Sequence, residues 1–453
     1  MAMITLGQAA QWCGGRVDPK YENVTFFGAN NDSRNILPGQ LFVALQGERD
    51  GHDYIPAAME KGAAAVLCSR EVGEFPAIIV EDTRKALGDI ARGERQRIGM
   101  KVVGVTGSVG KSTTKEMIAA VLGKAYRVSK TPANHNNDIG MPMAILAMSE
   151  DTQVAVLEMG MNHFREIAYL TAIAQPDVAV ITNIGTMHIE HLGSQEGILQ
   201  AKLEILEGMS RDGTVILNGD DAYLRRRIAR DDLHIHYCGT KEPDCGYWGS
   251  NVVQNSGLLR FDVACKGGRF QVEMALEGNH YVADALLAIG VGMEMGVNPA
   301  AIQEALSQFQ NMAGRQEIFE AKGCTVIQDC YNAGPESMAA ALAVLGSRPG
   351  RRVAVLGDML ELGFRTQAEH YRVGRIAAEK ADILLAYGPN SSRTVSGAIT
   401  GGMSDARAKA FENRDEIVAA MKRTVKPGDV ILVKGSRGMR MELILQQFLK
   451  EET

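Results

Sequence analysis

The residues best suited to chemistry stand in Val102–Thr114, VVGVTGSVGKSTT, where a β-branched run enters a glycine-bearing loop and Gly110-Lys111-Ser112 opens a helix. That order builds a phosphate cradle. Backbone N–H groups of the loop and of the helix N-terminus face an anion, Lys111 reaches the β- and γ-phosphates, and the Ser112 hydroxyl offers a coordination place to Mg²⁺. Gly107, Ser108, Val109, Gly110, Lys111, Ser112 and Thr113 are therefore the candidate nucleotide-binding residues, with ATP or GTP as the ligand. The strict pattern G-x-x-x-x-G-K-[ST] would put Gly where Val105 stands, so Gly107 and Gly110 must supply the flexibility. A glycine-rich turn that binds nothing would leave Lys111 without a role.

In open α/β sheets ligands sit outside the carboxyl ends of the strands. Glu158 ends the run AVLE, and Asn183 ends AVITN with His188 a few residues on. Taken singly, each is an ordinary strand-end polar residue; beside a P-loop they converge, because Mg·ATP needs a carboxylate near the Ser112 hydroxyl. Ser112, Glu158 and His188 are thus candidate metal ligands, although imidazole suits Mn²⁺ better than Mg²⁺. Lys202 is more unusual. If Ser194–Gly208 is one helix capped by Ser194, its neighbours one turn away are Ile198, Leu199, Ile205 and Leu206. Either its stem packs while the ammonium reaches water, or burial lowers its pKa and frees an amine that adds CO₂ to form a carbamate, an oxygen-rich anion able to bind Mg²⁺. Asn134, Asn136 and Asn137, in TPANHNNDIG, either form a cluster suited to a carboxylate or amide or are turn formers of a loop.

The frame around these groups is that of an ordinary globular chain. Its 453 residues, at about 150 per domain, give a prior of three domains, and 45% apolar with 23% charged residues excludes disordered and membrane classes. The net charge of −6 comes with scattered Lys and Arg; Arg225-Arg226-Arg227 is the one compact basic run, read as a solvated helix face, so no nucleic-acid partner is expected. Seven cysteines form no C-x-x-C pair and read as reduced cytoplasmic thiols. The N-terminus lacks a basic and apolar leader and no eighteen-residue apolar run occurs, so neither secretion nor membrane insertion is expected.

Residues 1–99 carry short strands and helices, ending in a helical stretch at Thr83–Arg97 that leads into the P-loop strand. Residues 100–312 hold continuous apolar runs at Val102–Val105, Val154–Leu157, Val178–Ile181 and Val215–Leu217, which predict parallel strands covered on both faces. Residues 313–453 repeat the alternation at Val353–Leu356, Ile383–Ala386 and Val430–Val433, with Gly357-Asp358 and Gly435-Ser436 as βα turns of a second doubly wound sheet. The expected fold is α/β in three domains: a small α/β domain, a P-loop parallel-sheet domain and a Rossmann-like domain.

TGSVGKST, LEMGMNHFREI at Leu157–Ile167 and GTMHIEHLGSQEGILQAKLEI at Gly185–Ile205 resemble the central-domain signatures of the ATP-dependent Mur ligases of peptidoglycan precursor synthesis. The resemblance implies a carbamylated lysine at Lys202 and metal held by Glu158 and His188. DSRNILPGQLFVALQGERDGHDYI resembles the domain that recognises a UDP moiety, implying Asp32, Ser33, Arg34 and Gly47 as substrate contacts. AGRQEIFE carries Arg315, which resembles a hinge arginine approaching the γ-phosphate. DCYNAGPESM, LGDMLELG and VKGSRGMRME resemble segments of the members that add D-alanyl-D-alanine to UDP-N-acetylmuramoyl-tripeptide.

By the same resemblance, His280, Asp329 and Asn332 join the ATP contacts, Lys111, Lys202, His188 and Arg315 are catalytic, and Asn134, Asn137, Asp358, Lys434 and Arg437 bind substrate. His280, Tyr281 and Asp284 depart from the family's usual adenine-side pattern, and Gly334 replaces the second Asn of Y-N-A-N-P. The implied enzyme is a monomeric ATP- and Mg²⁺-dependent ligase of cytoplasmic small molecules, with Mn²⁺ as the alternative ion. The rival within the superfamily is a tripeptide-forming or folylpolyglutamate synthase-like ligase. The rival outside it is a P-loop switch or transport ATPase, against which the absence of N-K-x-D and L-S-G-G-Q speaks.

Overall fold

The computed structural model describes residues 3–226, 228, 230–255 and 257–450; Arg227 of the basic run lies outside them. The chain packs as two compact units, one of Met1–Thr182, Gln200–Trp248 and Leu286–Ala305, the other of Asn183–Leu199, Gly249–Ala285 and Leu306–Thr453.

In the first unit, a four-stranded parallel sheet (Ala29–Asn30, Leu41–Val43, Ala65–Cys68, Ala77–Ile79) precedes the helix Thr83–Ile98. Asp82 caps that helix by accepting from the Arg84 and Lys85 N–H groups, and Gly99, at φ +70°, ends it. Arg95 on the helix donates to the carbonyls of Ala174 and Gln175, at 3.0 Å each, tying this region to the sheet that follows.

That sheet runs His234–Gly239, Thr214–Asn218, Val178–Ile181, Lys101–Thr106, Val154–Glu158, Val128–Lys130, all parallel. The chain leaves the Lys101–Thr106 strand to one side and later continues on the other, so this strand stands at the topological switch point where α/β sheets bind ligands. Val102, Val103, Val105 and Val154–Leu157 are buried, as the continuous apolar runs predict. Register sets the site: Glu158 pairs with Val105 and Ile181 with Thr106, so three adjacent strands end side by side.

The second unit holds a six-stranded sheet in the order Glu317–Ala321, Cys324–Asp329, Val430–Lys434, Arg352–Gly357, Ile383–Tyr387, Ala408–Phe411, parallel except for the first pair. Alternate strand residues feed two cores. Ala354, Leu356 and Leu432 meet Met338, Leu342 and Val373 on one face, while Val353, Val355 and Ile431 meet Ile417, Met421 and Phe448 on the other.

The structure corrects the sequence reading at several elements. The expected helix Ser194–Gly208 is α-helical over Gln195–Leu203 and tightens to 3₁₀ over Glu204–Gly208. There Thr171 Oγ1 donates to the Ile205 carbonyl and Gly208 lies against the Thr171 backbone. Arg225 is in a turn, not on a solvated helix face: it pairs with Asp244, donates to the Gly219 carbonyl and lies over the Tyr237 ring. The strands His234–Gly239, Tyr247–Asn255, Leu258–Cys265 and Gly268–Met274 were not among the expected ones, the last two pairing antiparallel.

Candidate active site

The P-loop conformation is imposed by close packing. Gly107 has φ +148°, and a Cβ there would lie 1.9 Å from Thr182 Oγ1, so only glycine fits. Thr182 sits just past the neighbouring strand and donates its hydroxyl to the Val109 carbonyl at 2.5 Å, pinning the loop. Gly110, at φ +85°, turns the chain into the helix Lys111–Leu122. Lys111 Nζ arcs back to the carbonyls of Gly107 (2.8 Å) and Ser108 (3.2 Å), which holds the ammonium over the cradle.

Ser112 and Glu158 are both buried, and Ser112 Oγ donates to Glu158 Oε2 at 2.7 Å. Glu158 Oε1 accepts from Asn136 Nδ2 at 2.8 Å, and the Glu158 N–H donates to Thr131 Oγ1 at 3.0 Å. A hydroxyl and a carboxylate oxygen in contact, both hard oxygen donors, suit a Mg²⁺ whose remaining places are filled by phosphates and water. Of the asparagine cluster, Asn136 faces the carboxylate. Asn137 Oδ1 instead accepts from the Gly140 N–H at the start of the helix Gly140–Leu146, and Asn134 is exposed in the loop, its carbonyl accepting from the Asn136 N–H.

Lys202 is 2% exposed, which rules out the reading in which its ammonium reaches water. Burial, reinforced by the nearby Lys111 charge, drives its pKa well below the usual lysine value. Lys115, which sequence reasoning missed, is fully buried on the P-loop helix; its Nζ lies 3.8 Å from Glu158 Oε2. No local pattern marks it, because Lys115-Glu116 reads as a solvated charge pair on a helix.

In the second unit, Asp329, Lys434 and Asp358 lie at the carboxyl ends of three adjacent strands. Lys434, 2% exposed, donates to Asp329 Oδ2 at 2.6 Å and to the Asn332 carbonyl at 2.9 Å, so residues expected at the nucleotide and at the substrate form one cluster. Asp358 accepts from the Asn390 backbone N–H and side-chain amide. Arg315 stacks over the Tyr331 ring at 4.0 Å, and His280 packs against Tyr281 with ring centroids 4.1 Å apart. Arg437 is exposed and 3.4 Å from Glu442, apart from the hydrogen bonds of the Lys434 cluster.

His188, also in this unit, adopts φ +64°, and its Nδ1 lies 2.7 Å from Glu361 Oε2; hydrogen bonding by the His188 side chain holds the Glu361 carboxyl below the usual carboxylate range. Glu336, accepting from Thr186 Oγ1 at 3.0 Å, is a second carboxylate against the same segment that sequence reasoning did not single out. In the first unit, Asp32 is held at a pKa of about 2 by hydrogen bonds from the Arg34 guanidinium and N–H; Ser33 between them is buried, and Gly47 lies exposed in the bend between Gln46 and Asp50.

A parallel sheet whose switch-point strand runs into such a cradle defines a P-loop nucleotide-binding protein. Family models place it further. The Mur ligase middle domain matches residues 105–292, the Mur ligase glutamate ligase domain 314–437, and the Mur ligase family catalytic domain 26–95. The chain is 39% identical over 450 residues to the UDP-N-acetylmuramoyl-tripeptide--D-alanyl-D-alanine ligase of Bacillus subtilis, covering 96% of each chain. Among solved structures it resembles MurF from Acinetobacter baumannii, with a TM-score of 0.91, 30% identity and all of both chains covered. It also resembles the MurF ligase of Thermotoga maritima in complex with ADP, with a TM-score of 0.83, 29% identity, and 94% and 97% of the two chains covered. The chain belongs to the Mur ligase family.

Proposed function

We propose that this chain is the ATP-dependent peptide ligase that joins D-alanyl-D-alanine to UDP-N-acetylmuramoyl-tripeptide, a step of peptidoglycan precursor synthesis. The observation that carries the reading is the likeness, over nearly the whole length of both chains, to a ligase of that name. ATP as the nucleotide is supported by the P-loop geometry and by the ADP bound in the Thermotoga relative.

A carboxylate does not react usefully with an amine near neutral pH, because oxide is a hopeless leaving group. The tripeptide carboxylate oxygen attacks the γ-phosphorus, the bond to the bridging oxygen breaks, and ADP leaves an acyl phosphate. The amine of D-alanyl-D-alanine then adds to the acyl carbon and loses a proton, and phosphate departs with one former carboxylate oxygen, leaving the amide. Lys111 gathers the charge of the γ-phosphate, and the loop N–H groups after Gly107 orient it. A divalent ion, when bound with the nucleotide, would supply charge neutralisation to its phosphates. Ser112 and Glu158 would hold it, with His188 and a carbamylated Lys202 assigned to the centre by the family motifs.

The same motifs assign Arg315 to the γ-phosphate, His280, Asp329 and Asn332 to the nucleotide, Asp32, Ser33, Arg34 and Gly47 to the UDP moiety, and Asn134, Asn137, Asp358, Lys434 and Arg437 to the peptide substrates. All ligands in this reading are small molecules met by a cytoplasmic monomer. Among the described residues no helix is long and apolar enough to cross a membrane. Phosphate release from ATP with UDP-N-acetylmuramoyl-tripeptide, with and without D-alanyl-D-alanine, tests the reading. Release must require both acceptors; hydrolysis indifferent to them would overturn it in favour of a switch or transport ATPase.

A further inference from the structure

Lys115 makes a network that the reaction described above does not use. Its ammonium donates to the Thr131 carbonyl at 2.7 Å and lies 3.3 Å from Glu116 Oε1 and 3.8 Å from Glu158 Oε2. The same Glu158 oxygen accepts the Ser112 hydroxyl, while Thr131 holds both partners, its carbonyl on Lys115 and its hydroxyl on the Glu158 N–H. A buried ammonium persists only when paired and hydrogen-bonded. Here, away from water, it sits at a distance where opposite charges act on each other several times more strongly than in solvent.

Glu158 is the one carboxylate hydrogen-bonded to the Ser112 hydroxyl in the contacts described above, and among the described residues no group of three or more His, Cys, Asp or Glu side chains could hold a metal ion. A divalent cation arriving alone would meet, beside Ser112, the Glu158 carboxylate partly offset by an ammonium that it shares with Glu116, whose other cationic partner is Lys130. Arriving on a nucleotide, it brings its own anionic ligands and needs from the protein only a hydroxyl and one oriented oxygen.

We propose that Lys115 is a positioning residue that offsets the Glu158 charge, so that the centre accepts a divalent cation together with nucleotide phosphates and rejects the free ion. This rests on the reading that Ser112 and Glu158 hold the nucleotide's metal. Lys115 acts through Glu158, keeping Oε2 turned toward Ser112, and touches no reacting atom itself.

Titration of the full chain with Mn²⁺ followed by electron paramagnetic resonance, with and without ADP, tests the inference. The wild type binds free Mn²⁺ at least about a hundredfold more weakly than Mn²⁺ with ADP, and Lys115→Met tightens free Mn²⁺ by about tenfold or more. Lys115→Arg, which keeps the charge, shows no such gain, and adding Glu158→Gln to Lys115→Met removes it. A merely structural lysine would weaken binding in both conditions, so unchanged or weaker free-ion binding by folded Lys115→Met overturns the inference. If that variant does not fold, the wild type decides: free Mn²⁺ bound as tightly as Mn²⁺ with ADP overturns it. Failure of the wild type to bind Mn²⁺ even with ADP overturns instead the metal reading beneath it.

Discussion

The Ser112 hydroxyl and the Glu158 carboxylate, 46 residues apart in the chain, meet at 2.7 Å because a helix start and a neighbouring strand end are brought to one sheet edge. Glu158→Gln keeps an oxygen for Ser112 and removes the charge, leaving Glu116 as the carboxylate that still faces the buried Lys115. The expected outcome is a loss of ligation of about 10²-fold or more and a fall in unfolding free energy of roughly 1–2 kcal/mol, because Glu116 still compensates Lys115. Steady-state kinetics and urea unfolding check the two effects separately; wild-type turnover in this variant would remove Glu158 from the site.

Gly107→Ala must move Thr182 or distort the loop, since its Cβ would sit 1.9 Å from Thr182 Oγ1 at a φ of +148°. ADP binding by calorimetry should be lost, with a stability cost of about 1–3 kcal/mol. Adding Thr182→Ala relieves only the hydroxyl, because the Thr182 backbone nitrogen still lies 3.0 Å from the new Cβ. Full recovery in the double variant would show that the loop tolerates a side chain there.

Lys202→Ala should lower ligation by about 10²–10³-fold, with partial recovery on adding a small carboxylate such as formate. In the wild type, ¹³C-bicarbonate should give a carbamate resonance that Lys202→Met lacks. Full unaided activity of Lys202→Ala would reduce this buried lysine to a packing role.

Burial pushes the Cys330 thiol up to about 12 and the Cys68 thiol to about 11, against an unperturbed value of 9.0. Above pH 9 the unfolded chain releases these protons before the folded one does, so it binds fewer protons and stability falls as pH rises. The slope is about 1.4 kcal/mol per pH unit per thiol, continuing until the folded-state value is reached. Urea unfolding at pH 8, 9 and 10 should show a shallower decline for Cys330→Ala than for the wild type; parallel declines would contradict the assignment. At pH 8 a thiol reagent should reach Cys13 and Cys265, which are partly exposed, before the five buried cysteines.

What could be read beforehand follows from how each signal is encoded. The runs at Val102–Val105, Val154–Leu157 and Val353–Leu356 are apolar throughout because both faces are covered, so they stand out in sequence. Lys202 stood out because Ile198 and Ile205 flank it on one helix face. Lys115 did not, since Lys115-Glu116 reads as an ordinary solvated charge pair and only tertiary packing buries it. The hairpin Leu258–Cys265 with Gly268–Met274 alternates buried and exposed positions and lacks a continuous apolar run, although Gly267-Gly268, the first in the two-residue turn and the second opening the strand, was a usable signal. Glu361 was inside a motif already noted, yet its approach to His188 joins residues 173 positions apart in sequence, a pairing no local pattern encodes.

Passage of a phosphoryl group from nucleotide to a peptide carboxylate leaves an isotopic record in the released phosphate. UDP-N-acetylmuramoyl-tripeptide labelled with ¹⁸O in the reacting carboxylate is turned over with ATP and D-alanyl-D-alanine, and the released phosphate is analysed by mass spectrometry. Each phosphate should carry one ¹⁸O from the labelled carboxylate, because the acyl oxygen leaves with phosphorus. Unlabelled phosphate accompanying amide formation would exclude an acyl phosphate intermediate.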